Sequence, residues 1–99
     1  MQVELLYFSG CPNWQVADDR LMEALTVLGR ADIVVERRPI ETLAEAEEVG
    51  LVGSPTIRID GIDPFATGQE LVGLACRVYA TPAGLRGAPD TAQLVEVLA

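Results

Sequence analysis

Tyr7-Phe8-Ser9-Gly10-Cys11-Pro12-Asn13-Trp14 is the stretch on which the reading of this chain turns. Val3 to Phe8 is a short, nearly continuous apolar run rich in Leu, Tyr and Phe, which suits a central strand covered on both faces. Ser9-Gly10 ends it. From about Pro12 to Leu28, the residues Trp14, Ala17, Leu21, Ala24, Leu25 and Leu28 recur at three- and four-residue steps. Asp18, Asp19 and Glu23 take the other side, so the spacing predicts an amphipathic helix. Pro12 suits its first position and Gly29 its exit. Cys11 then falls at the helix N-cap, where unpaired amides and the positive end of the helix dipole favour a thiolate, and its pKa is expected below the ordinary value of about 8.5.

Outward from this strand and helix, the β-branched run Ile33, Val34, Val35 begins a second strand over roughly Ile33 to Arg38, closed by Pro39. Thr42 and Glu45 have the spacing of a capping box for a short helix with Leu43, Ala46 and Val49 inward and Gly50 as its stop. Thr56 to Ile59 reads as a third strand turned by Asp60-Gly61. Residues 62–73 read as a loop in which Phe65 is a core anchor. Leu74 to Tyr79 alternates as a fourth strand, with Leu74, Cys76 and Val78 on one face and Ala75, Arg77 and Tyr79 on the other. Pro82 to Pro89 is a loop, and a last helix starts at Asp90, with Gln93 as its capping-box partner and Leu94, Val97 and Leu98 buried. The order βαβαββα, parallel at first and antiparallel later, implies an α/β fold: a mixed sheet covered by helices on both faces.

Composition narrows the chemistry. Ninety-nine residues with 49% apolar and 22% charged side chains make one globular domain. The chain has no histidine, and all seven of its basic residues are arginines. That removes His-based triads, His-ligated zinc, Schiff-base chemistry and a phosphate-binding lysine. A net charge of -8 argues against nucleic acid and anionic membranes as partners. The cluster Glu41, Glu45, Glu47 and Glu48 reads as a solvated helix face. No apolar run is long enough to span a membrane, and the N-terminus reads as a strand rather than a signal peptide, so the expected compartment is the cytoplasm. Two cysteines are too few for a disulfide scaffold, which points to reactive sulfur.

A strand ending in Phe8, the Cys11-Pro12 helix start, and Gly53-Ser54-Pro55-Thr56 leading through Ile57-Arg58-Ile59 to Asp60-Gly61 together resemble the thioredoxin superfamily over residues 3–61. The resemblance implies a single thioredoxin-like domain over residues 1–99, with a four-stranded mixed sheet. It implies a cis Ser54-Pro55 bond beside Cys11, with Ser54 offering its backbone to an extended substrate, so Pro12, Trp14, Ser54 and Pro55 form the candidate substrate-binding set. Trp14 also reads as a hydrophobic lid on the sheet edge. The chain departs from the family at two places. Cys11-Pro12-Asn13-Trp14 replaces Cys-x-x-Cys, making it a small monothiol variant at this motif, and Leu5 stands where the family carries a buried acid. The Cys-Pro-Asn and Ser-Pro-Thr pattern is also similar to a group labelled alkylmercury lyase-like.

Three functions follow as expectations. In the first, Cys11 is the nucleophile of a thiol-dependent redox protein acting on a small thiol adduct or a protein disulfide, and Cys76, the only other sulfur, is the candidate that releases it. The strand reading places Cys76 several residues short of the site, buried and inert, and pairs Arg77 with a surface acid. In the second, Cys11 and Cys76 hold a soft metal or organomercurial while Asp60 or Asp63 protonates the departing carbon. In the third, the chain is a non-catalytic module binding an extended peptide beside Pro55. No resident cofactor or metal is implied, and the oligomeric state is left open.

Overall fold

In chain order, the elements of the computed structural model, which describes residues 1–99, are β1 (Val3–Tyr7), α1 (Asn13–Val27), β2 (Val35–Pro39), α2 (Leu43–Val49), β3 (Val52–Ser54), β4 (Thr56–Ile59), β5 (Gly73–Cys76), β6 (Tyr79–Thr81), β7 (Gly84–Arg86) and α3 (Thr91–Leu98). β1 is central, as its apolar run requires. It pairs in parallel with β2, Val3 opposite Val35 and Leu6 opposite Arg38, and antiparallel with β4, Val3 opposite Ile59 and Leu6 opposite Thr56. These three strands form a mixed sheet in the order β2-β1-β4. β3 and β5 form a separate parallel pair, and β6 and β7 a hairpin.

The two-residue period of β1 sorts the core onto two faces. Val3 and Leu5 pack with Ala17, Leu21, Ala24 and Leu25 of α1, with Ile57 of β4, and with Leu94 and Leu98 of α3. Leu6 points the other way and packs with Ile40, Ala46 and Leu51, so α2 covers the opposite face. Each fully buried leucine contributes roughly 1.5–3 kcal/mol over an exposed one, and these contacts fix the helices on the sheet. The molecule is a compact α/β chain with a Cα radius of gyration of 12.6 Å. No helix is long and apolar enough to cross a membrane.

The caps follow the sequence closely. Thr42 accepts a hydrogen bond from the Glu45 amide, Gly50 ends α2 at φ 72°, and Asp90 and Gln93 form a full capping box on α3. Arg58 donates to the Val49 and Gly50 carbonyls at 2.6 and 3.3 Å, satisfying the open end of α2. Asp60 and Gly61 adopt positive φ, as their turn needs.

Several expectations are corrected. α1 starts at Asn13 with Pro12 at the cap position, so Cys11 lies one residue outside the helix N-cap. β1 ends at Tyr7 and β2 is displaced to Val35–Pro39. Leu43 is exposed, leaving Ala46 as the buried residue of α2. The fourth strand expected over Leu74 to Tyr79 is divided: its first half pairs with β3, which was not foreseen as a strand, and Tyr79 begins a hairpin with part of the expected 82–89 loop. The pairing changes there: the β3-β5 register is irregular, the Arg77 amide donates to the Ser54 carbonyl at 2.9 Å, and Tyr79 pairs instead with Arg86 of β7. Hydrogen-bonded pairing accordingly unites three strands in the main sheet, not four.

Candidate functional site

The site is assembled where the chain leaves β1. The Cys11 amide donates to the Phe8 carbonyl at 3.1 Å and closes the turn. Glu41 accepts from the Ser9 amide at 3.0 Å and the Ser9 hydroxyl at 2.8 Å, which ties the same turn to the segment before α2. Cys11 is 1% exposed. Its thiol donates to the Ser54 carbonyl oxygen at 3.5 Å.

Ser54 is buried and joined to Pro55 by a cis peptide bond, the geometry expected for this loop. Its hydroxyl accepts from the Phe8 amide at 3.3 Å, and its carbonyl accepts from the Arg77 amide at 2.9 Å as well as from Cys11. Pro55 is also buried, and its carbonyl accepts from the Tyr79 hydroxyl. Of the Ser54 backbone expected to meet an extended substrate, the carbonyl is occupied by the chain itself. Pro12 is exposed beside Cys11. Trp14 is half-buried and stacks on Tyr7 with ring centroids 4.1 Å apart, which makes it a lid over the end of β1.

Cys76 lies elsewhere than the strand pattern placed it. β5 runs parallel beside β3 and sets Cys76 opposite Ser54. Its sulfur is therefore 3.8 Å from that of Cys11, and the residue is exposed rather than buried. The correction has a simple cause. An antiparallel strand beside β4 would bring Tyr79 toward Cys11, whereas a parallel one beside β3 brings its own last residue there. Donation of the Cys76 hydrogen to the Cys11 sulfur pushes the Cys76 thiol above its ordinary value, and desolvation and the charge on Cys11 act in the same direction.

The residues that hold β5 in place were not recognised from sequence. Arg77 is 6% exposed, and its guanidinium meets Asp63 at 2.6 Å, Glu70 at 3.7 Å and the Thr56 hydroxyl at 3.4 Å. It also lies 4.6 Å over the Tyr79 ring, which Phe65 meets edge-on. The acid partner expected for Arg77 is thus inside, and it secures the loop of residues 60–72. Amides of Thr67 and Gly68 donate to the Glu70 carboxylate, lowering its pKa to about 2, with the Thr67 amide the largest cause. Burial pushes the Tyr79 phenol up. The available signal was two acids, Asp63 and Glu70, preceding the arginine next to the second cysteine, in a segment without periodicity. A cavity of about 380 Å³ borders Glu70, Arg77, Tyr79 and Leu85 and is lined by neither cysteine.

Chemically, the pair of sulfurs is the asset of this site. A disulfide needs the sulfurs at about 2.05 Å, so closing the pair takes a movement of about 1.8 Å. No group of three or more His, Cys, Asp or Glu side chains comes together to hold a metal ion. Asp60 pairs with the Gln2 amide at the far end of β1 from Cys11, and both Asp63 oxygens are engaged by Arg77. Neither acid suggested for carbon protonation is free beside the sulfurs. No family model, curated protein or solved structure matches the chain.

Proposed function

We propose that this chain is a thioredoxin-like dithiol-disulfide redox protein whose exchanging pair is Cys11 and Cys76. The observation that carries the reading is the 3.8 Å separation of two sulfurs that lie 65 positions apart in the chain. The reaction converts two thiols and an external disulfide into an internal disulfide and two external thiols, or runs in reverse. Support for the thioredoxin-like architecture comes from the parallel β1-β2 pair joined through α1, the antiparallel β4 entered through the cis Ser54-Pro55 bond, and the helices on both faces. In this reading the segment 73–81 takes the place of a fourth strand.

The soft-metal alternative would use the same two sulfurs in a two-coordinate site. Organomercurial cleavage is less well supported, because Asp60 is remote and Asp63 is held by Arg77. A peptide-binding module is less well supported too, because the Ser54 carbonyl is already occupied.

The test is oxidation of the reduced protein with glutathione disulfide, followed by free-thiol counting, intact mass and peptide mapping. The expected product has lost two hydrogens and yields a cross-linked Cys11–Cys76 peptide. Accumulation of glutathione adducts with no internal cross-link overturns the reading.

A further inference from the structure

This inference rests on the dithiol reading and assigns the order of events within it. Thiol-disulfide exchange depends on access as well as on thiolate content. Cys11 is 1% exposed, with its thiol against the Ser54 carbonyl and the Cys76 sulfur beside it. Cys76 is exposed at the end of β5. We infer that Cys76, not Cys11, is the sulfur that first bonds to the external disulfide, that Cys11 is the resolving sulfur, and that the substrate is a low-molecular-weight disulfide.

The two influences on rate oppose one another. Its tighter hold on the proton slows Cys76 in proportion to the thiolate it loses, about tenfold for each unit by which its pKa is raised. Burial slows Cys11 more, because a covered sulfur reacts only in the small fraction of molecules that have opened locally. The substrate class follows from the surroundings. None of the three surface cavities is lined by either cysteine, and the Ser54 carbonyl beside them is satisfied by the Arg77 amide, so neither feature favours an extended chain over a small molecule. A small disulfide needs only the exposed sulfur.

The Cys76 thiolate attacks one sulfur of the small disulfide; a Cys76–sulfur bond forms, the external sulfur-sulfur bond breaks, and one small thiolate leaves. It takes up the proton that Cys76 released to solvent. Cys11 then loses its proton, attacks the Cys76 sulfur and expels the second small thiolate, which is protonated in turn. The protein dithiol is oxidised by two electrons and the small disulfide is reduced to two thiols.

Limiting iodoacetamide on the reduced wild-type protein, read by peptide mapping, tests the order without relying on a variant. Cys76 is expected to carry at least about ten times the label of Cys11. Glutathione disulfide on single-cysteine variants supplies the second measurement: Cys11→Ser retains a stable adduct on Cys76, and Cys76→Ser is modified at least about tenfold more slowly. Preferential labelling of Cys11, or equal rates in the two variants, overturns the order. If the wild-type protein still forms its internal disulfide, the dithiol reading survives that result. Failure of the internal disulfide to form removes both.

Discussion

The proton on Cys76 is held by one neighbour above all, since the sulfur of Cys11 accepts it as a hydrogen bond. Cys11→Ala deletes that acceptor. The Cys76 thiol pKa should then fall, and its alkylation near neutral pH should accelerate by about tenfold for each unit of the fall. A pH-rate profile with iodoacetamide reads this directly, and a profile unchanged from the wild-type Cys76 rate would sink the assignment. Glu70 makes the opposite case. Its pKa is lowered from 4.5 to about 2, so the unfolded chain binds more protons than the folded one in that interval. The stabilisation is complete above pH 4.5 and disappears as pH falls through about 2. Glu70→Gln should therefore lose less stability than wild type between pH 6 and pH 2, as measured by urea midpoints. An identical acid loss in both proteins would show that the Thr67 and Gly68 amides do not stabilise the carboxylate.

Among the elements, β5 decides whether the two sulfurs meet. Arg77 anchors its exit through Asp63 and Glu70, and Gly53 lets β3 approach it. Gly53 has φ 102°, and a Cβ there would stand 3.0 Å from Arg77 Cβ and 3.4 Å from the Ala75 carbonyl oxygen. Gly53→Ala should cost about 1–3 kcal/mol of stability and speed Cys11 alkylation by loosening β5. Urea unfolding and peptide-resolved labelling test both effects, and a variant with neither would mean that this contact does not position the strand. The contrast with the helices explains what could be read in advance. α1 declared itself through repeated apolar spacing, and α2 and α3 through Thr42/Glu45 and Asp90/Gln93, because those signals are local. The β3-β5 pair spans only three and four residues, and its register depends on Gly53 in β3 meeting the buried Arg77 that follows β5, residues far apart in the chain. Alternation along Leu74 to Tyr79 described a strand but could not choose between β3 and β4 as its partner. Cys11 and the Ser54-Pro55 loop were legible from their flanking sequence, while the proximity of Cys76 was a property of pairing alone.

Across the whole molecule, a Cys11–Cys76 bond would connect the two sides of the fold. Cys11 immediately precedes Pro12 and α1, which supplies the first core with Leu21 and Leu25. Cys76 ends the strand whose Leu74 packs against the second core around Leu6 and Leu51. In the unfolded chain that link would close a loop of 65 positions, and the loss of chain entropy corresponds to at most about 4 kcal/mol of stabilisation. For a domain of this size each kcal/mol moves the melting temperature by about 4–8 °C. The oxidised protein should consequently melt above the reduced one, by up to roughly 16–32 °C. Scanning calorimetry of both forms, with Cys76→Ser as the control that cannot form the bond, separates cross-linking from other effects of the oxidant. A shift in wild type alone is the expected result. Equal melting of the two wild-type forms would mean that the entropy removed from the unfolded chain is cancelled by strain in the folded one, which the 3.8 Å approach of the reduced sulfurs argues against.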